Sequence, residues 1–238
     1  MPKPPLLNAE KSVAAAVQTS LEVMSLPTIL RATFKKGETL RFTGHLDILR
    51  TFVRGLRRAE IPVKYSEGFN PHAVLTFALP LGVGTTSECE IVDIAVTEQI
   101  PVEDFISKVN ANMPKDAIEI LKAEYTDEKM PEIVKAEYMI TYENATPIDT
   151  SLLGKAFSSP IMVEKKSKRQ MNEVDLSEHI FSHCIEQKDE KTFILTVTMS
   201  AGNKFNIKPQ LLTEGLMSVC ADFTPVLTMP HRKRFIFQ

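Results

Sequence analysis

The sequence is poor in residues that make cross-links and metal centres. Its 238 residues contain three cysteines, Cys89, Cys184 and Cys220, far apart and without CxxC spacing. That scatter argues against a disulfide framework, a structural zinc site or an iron–sulfur cluster. It suits a reducing compartment, so a cytoplasmic location is expected. No cofactor and no metal ligand set is expected either. Apolar runs long enough to cross a bilayer are missing. The Ala- and Val-rich stretch 12–26 is interrupted by Gln18, Thr19, Ser20 and Glu22, which also argues against a secretory signal. It reads as a short amphipathic helix after an extended Pro2-Lys3-Pro4-Pro5 start, either packed on the body or acting as a docking arm. Surplus positive charge is lacking as well. With 28 Lys and Arg against 30 Asp and Glu, any nucleic-acid site must come from local clustering. Pro80-Leu81-Gly82-Val83-Gly84 has neither Walker nor GxGxxG spacing, and no Ser-His-Asp order has a supporting local signature.

What is present is enough apolar material, 43% of residues, for one large domain or two small ones. Residues 28–35 alternate and are β-branched-rich at the start, as a strand does. Residues 39–42 read as a second short strand. The period then changes. Leu46, Leu49, Val53 and Leu56 fall at helical spacing, with Ile48 and Phe52 widening the stripe, and the helix is expected to end near Ala59, before Ile61-Pro62. Strands are expected at 63–65, 73–78, 90–96 and 118–125, with a helix over 102–111 that starts after Pro101. This is a β-α-β-β-α-β order. After a polar boundary near 126–131, a looser repeat follows. It has strands at 135–142, 161–164, 180–186, 193–199 and 233–237, and helices at 149–157 and 209–219. The expected fold is therefore α+β, with two ferredoxin-like units side by side. Residues 1–28 form an extension, 29–126 the first unit and 132–238 the second.

Two constellations can carry chemistry. The first is Arg41-Phe42-Thr43-Gly44-His45-Leu46-Asp47, followed by Arg50, Arg54, Arg57 and Arg58. Gly44 is placed to cap the helix, with Asp47 at its third position. At about 100° per residue, the four arginines lie within roughly a third of the circumference. Guanidinium groups so close repel one another unless an anion sits opposite, and Arg forks bind phosphate or carboxylate in pairs. The bland alternative is a solvated basic face. His45 can cap, pack or act as an acid–base group.

The second constellation is Tyr65-Ser66-Glu67-Gly68-Phe69-Asn70-Pro71-His72. Gly68 permits backbone angles closed to other residues, and Asn70-Pro71 fixes a turn. Tyr65 and Phe69 offer faces for base stacking, with Ser66, Asn70 and His72 as polar contacts. Alternatively this is a rigid turn with Phe69 plugged into the core. Glu88 and Glu90 alternate and should share one strand face, which can coordinate a cation but reads first as an exposed strand face. Lys165 to Arg169 reads as a basic loop. With His231-Arg232-Lys233-Arg234 and the first helix it can form a phosphate track.

The order of these motifs, from Gly37-Glu38-Thr39-Leu40-Arg41 through Pro80-Leu81-Gly82-Val83-Gly84 and Ser87-Glu88-Cys89-Glu90, resembles the radical-SAM-linked protein family of bacteria. The likeness covers about Ile29 to Phe237, is specific only to about Gly84, and is weak in the second half, mainly at Lys208-Pro209. This chain has Gly44 where that family usually has Ser, and Lys208 where Arg is usual. The resemblance implies a cobalamin-binding radical-SAM partner, beside or fused to which family members occur. It brings no catalytic residues. Without clustered cysteines, the chain is not expected to be the radical-SAM enzyme itself. The resulting expectation is a non-catalytic accessory protein. It would bind RNA or another anionic substrate through Arg41, His45, Asp47, Arg50, Arg54, Arg57, Arg58, Tyr65, Ser66, Phe69, Asn70 and His72. The alternatives are a metal-independent RNA endonuclease using His45 or His72, and a purely structural docking protein.

Overall fold

A computed structural model describes residues 28–166 and 171–238. The expected N-terminal helix, and with it the extension at 1–28 except its last residue, lies outside the described residues, as does most of the expected basic loop. The described chain is α+β, with a mostly antiparallel sheet and four helices.

In the first half β1 (Ile29–Lys36), α1 (His45–Arg58), β2 (Leu75–Phe77), β3 (Thr86–Ala95), α2 (Val102–Asn112) and β4 (Ile118–Thr126) follow in order. β1 lies between β4 and β3, and β2 pairs with β3, all antiparallel. In the second half come β5 (Ile133–Asn144), α3 (Thr150–Ala156), β6 (Met162–Lys166), β7 (Met171–Asp175), β8 (Ile180–Gln187), β9 (Thr192–Ser200), α4 (Pro209–Val219) and β10 (Pro225–Phe237). Here β5 lies between β10 and β9, and β8 flanks β9. The path of the first half is thus repeated. The hairpin β6–β7 is an addition outside the main sheet.

The halves join in one sheet of eight strands, through a parallel contact of β3 with β10. Only two residue pairs form that joint, His231 with Thr86 and Arg232 with Ser87. Cross-strand partners share a face. The register therefore puts the helices of both halves on the same side of the sheet.

Each half has its own core between helices and sheet. Leu30, Ala32 and Phe34 of β1 meet Phe52 and Leu56 of α1 and Phe105 of α2. Phe34, Phe52 and Phe77 pack edge to face, with centroids 4.8 to 6.0 Å apart. In the second half Tyr138, Ile140 and Tyr142 of β5 meet Leu212 and Leu216 of α4. The fully buried Tyr142 hydroxyl satisfies itself on Thr213 Oγ1, at 2.8 Å.

Several elements depart from the expected pattern. Residues 39–42 are not a strand. Glu38–Leu40 forms a 3-10 turn, because Gly37 and Thr39 donate their N–H groups to the carbonyls of Ala117 and Asp116. The segment 63–65 makes only isolated bridges, Val63 with Val96 and Tyr65 with Ala73. β7 was not expected at all. β10 begins at Pro225, eight residues before the expected start, because pairing with β5 imposes an extended backbone on a stretch with two prolines.

A β-bulge corrects the reading of Glu88 and Glu90. Phe34 faces Glu90, but Lys36 faces Ser87, so β3 spends one extra residue there. Glu90 turns to the helix side and is buried, whereas Glu88 remains half-exposed beside Lys233 and His231.

Candidate functional site

Helix α1 begins at His45 because Gly44 is extended and its carbonyl accepts the N–H groups of Asp47 and Ile48. Ile48, Phe52, Gly55 and Leu56 face the core. The opposite side carries Arg50, Arg54, Arg57 and Arg58, all exposed. Asp47 neutralises Arg50 across 2.8 Å, and Arg58 donates to the carbonyl of Asn112. Among the described residues no carboxylate pairs with Arg54, Arg57 or Arg58. Exposed cations left unpaired on one face are available to an external anion.

The Tyr65–His72 motif is an outward loop pinned at its base. Ser66 N donates to the His72 carbonyl at 2.9 Å, His72 N donates to Ser66 Oγ at 3.1 Å, and Ser66 Oγ lies 2.8 Å from His72 Nδ1. Gly68 has φ +110°, open to glycine and strained for other residues. Phe69 is wholly exposed, so it is not a core plug. Tyr65 is 46% exposed and lines a cavity of about 200 Å³ with Ala73, Val63, Ile61 and, from α1, Val53, Leu56 and Arg57. Arg57 and Tyr65 are thereby brought to one groove. Asn70 and His72 are exposed on the same loop.

Two of the expected contact residues have other tasks. Arg41 is 9% exposed. Its Nε and Nη2 grip Glu38 at 2.7 and 2.6 Å, and Nη1 donates to the Gly84 carbonyl at 3.0 Å. It braces the 80–84 loop instead of facing solvent. His45 is half-buried and stands edge-on to Phe77, 5.1 Å between centroids. The basic run at 231–234 is not a free track. A register shift between Arg232 and Arg234 divides it between the two faces of β10, with Arg232 opposite Tyr138 and Arg234 opposite Glu137. Arg232 pairs with Glu90, Lys233 with Glu88 and Arg234 with Glu137.

Sequence reasoning missed a charged cluster at the joint. Arg232, 2% exposed, reaches Glu90 at 2.8 and 3.1 Å and donates through Nε to the hydroxyl of Tyr138 at 3.0 Å. Lys36, also buried, donates to the carbonyls of Arg41 and Thr43 at 3.2 and 3.4 Å. Burial lowers its pKa to about 8 against the attraction of Glu90. On the opposite face His231 Nδ1 meets Thr86 Oγ1 at 2.8 Å, and burial lowers the histidine's pKa. Glu90 and Arg232 are 142 positions apart, beyond any local pattern. The sequence singles out Glu90 and Arg232 only separately, as part of a strand face and of a basic run, beside the glycines at 82 and 84 and Lys208-Pro209.

Above this cluster, on the helix side of the joint, lies a cavity of about 470 Å³. Its walls are the 80–85 loop and the first turns of α4, and its floor includes Tyr138 and Arg232. Gly84, at φ +85°, lets the loop turn back so that its N–H donates to the Arg41 carbonyl at 2.8 Å. Among the described residues no cluster of His, Cys, Asp or Glu is suited to a metal ion, and no helix is long and apolar enough to cross a membrane.

Fold and surface together define a two-layer α+β protein with an arginine-faced helix, a pinned aromatic loop and a cavity at the joint of its halves. The chain belongs to the family described as "Uncharacterized protein conserved in bacteria (DUF2344)", which it matches over residues 30–209. No curated protein matches the sequence. Solved structures with some likeness include a Cbf5-Nop10-Gar1 complex, at 8% identity and a TM-score of 0.49, covering 89% of this chain and 50% of that one. An archaeal box H/ACA sRNP Nop10-Cbf5 complex is similar at 9% identity and a TM-score of 0.42, covering 88% of this chain and 48% of that one. An unknown protein from Galdieria sulphuraria gives 10% identity and a TM-score of 0.25, over 84% and 99% of the two chains. The chain spans about half the length of the first two.

Proposed function

We propose that this protein binds RNA through the outer face of α1 and the Tyr65–His72 loop, and presents it to a partner without itself reacting. The observation that carries the reading is Arg54 and Arg57, exposed and without a carboxylate, beside a pinned loop that holds Phe69 in solvent. Cations that track a phosphate backbone and aromatic rings that stack on bases are the two parts of a single-strand site. Ser66 and His72 stiffen the loop, so Phe69 loses little freedom on stacking. In this reading each half is a ferredoxin-like unit, whose helix layer supplies the platform. A cobalamin-binding radical-SAM protein as the partner rests on the resemblance of the motifs alone.

The test is fluorescence anisotropy of labelled single-stranded RNA with the full chain, across a salt series. Arg50→Ala, Arg54→Ala and Arg57→Ala together should weaken binding by about tenfold or more and flatten the salt dependence by roughly 0.7 log units per lost contact. Phe69→Ala should weaken it while leaving the salt slope unchanged. Affinity that survives the triple substitution would remove this surface from the proposal and leave the docking alternative. The endonuclease alternative draws on one contact, Ser66 Oγ at 2.8 Å from Nδ1 of the exposed His72, which orients an acid–base group. It fails if His45→Ala and His72→Ala proteins process RNA as the parent does.

A further inference from the structure

We infer that the cavity at the joint of the two halves binds a small organic oxyanion, a phosphate monoester or a carboxylate carrying an apolar ring. The site is separate from the RNA surface and does not depend on it. Its volume of about 470 Å³ lies within the range of small-molecule sites and exceeds what a lone inorganic ion fills.

The floor selects for an acceptor. Arg232 spends Nε on Tyr138 and Nη1 on Glu90 and the Leu79 carbonyl. Its Nη2 makes no hydrogen bond among the described residues, although the side chain is 97% buried and lines the cavity. Tyr138, 1% exposed, accepts from Arg232, and its own proton has no acceptor among the described residues. Nη2 and the Tyr138 hydroxyl proton are therefore two donors available at one cavity floor. What fills both is an oxygen-rich group, and a charged one gives the shorter and stronger bonds.

The rim adds charge of the same sign. Lys208 stands at the N-cap of α4, and Pro209 occupies its first position. No acidic residue lies in that first turn, so the positive end of the helix opens on the cavity unopposed there. Glu214, farther along the wall, is engaged by Gln210 Nε2 at 3.1 Å. The remaining walls combine the apolar Pro80, Leu81, Val83 and Pro230 with the polar Thr85, Asn206 and Thr228. A charged head on the floor and a ring between these walls satisfies both chemistries.

The experiment is isothermal titration calorimetry of the full chain with phenyl phosphate, benzoate and phenol, with thermal unfolding of each protein as a check on folding. Phenyl phosphate or benzoate should saturate one site, and phenol should not. Whichever anion binds tighter tells phosphate from carboxylate. Gly82 lines the cavity and a Cβ there meets nothing within 4 Å, so Gly82→Leu adds bulk beside the cavity without a clash. It should weaken binding about tenfold or more, and Lys208→Ala by roughly three- to tenfold, as expected for loss of a charge contact. Tyr138→Phe should act like Gly82→Leu, provided that it folds. The triple arginine variant of α1 should bind the probes as the parent does, which separates failure of this site from failure of RNA binding. The inference is overturned if neither anion saturates at millimolar concentration, if phenol binds equally well, or if folded Gly82→Leu and Lys208→Ala proteins retain parental affinity.

Discussion

The two halves follow one strand path but use the same connection in opposite ways. In the first half the chain between α1 and β2 projects from the body, with Phe69 at 105% exposure. In the second half the chain between α3 and β8 folds into the hairpin β6–β7 and turns inward onto α4. The close contact there is Gly215, where an added Cβ would lie 2.7 Å from Ile161 Cγ2 and 2.9 Å from Val163 Cγ1. In the first loop Gly68 serves a different need, a positive φ with open space around it. An inserted segment that buries apolar side chains adds stability. One that leaves them in water does not, and is free to serve recognition.

Three substitutions test that contrast. The largest effect is expected at the joint on which both halves depend. Arg232→Met should cost about 3–5 kcal/mol in urea unfolding, because the buried Glu90 carboxylate loses its partner. A variant of parental stability would mean that the halves do not lean on this pair. Gly215→Ala comes next, at about 1–3 kcal/mol, because two β-branched side chains of the covering hairpin must move. An unchanged melting temperature would show that the hairpin is loosely applied. Phe69→Ala, in the corresponding connection of the first half, should change stability by less than about 0.5 kcal/mol. A large loss there would erase the difference between the two connections.

Much of the fold was readable in the sequence, and the reasons are local. Helix α1 was legible from its apolar spacing, although the side it buries is that of Ile48, Phe52 and Leu56 while Leu46 is exposed, and α4 begins at Pro209, whose fixed φ suits a first helical position. The arginine face and the pinned loop were legible for the same reason, since spacing and turn chemistry act over a few residues. The joint was not. Glu88 and Glu90 look equivalent in a simple alternation, and only the bulge opposite Lys36 separates them. Arg232 looks like one cation in a basic run until β5 and β3 close on both sides of β10. Residues 225–232 carry two prolines and no strand signal of their own, so pairing decided what propensity did not.

One edge of β3 is shared. Near its start Ser87 pairs with β10 at the joint, and from Val92 onward the same edge pairs with β2, which leads from the exposed loop. A strand rises about 3.3 Å per residue, so, with one residue spent in the bulge, these two attachments stand roughly 13 Å apart along it. β3 therefore works as a ruler between the loop and the cavity. Lengthening or further bulging β3 would change the spacing of the two attachments while leaving each end intact.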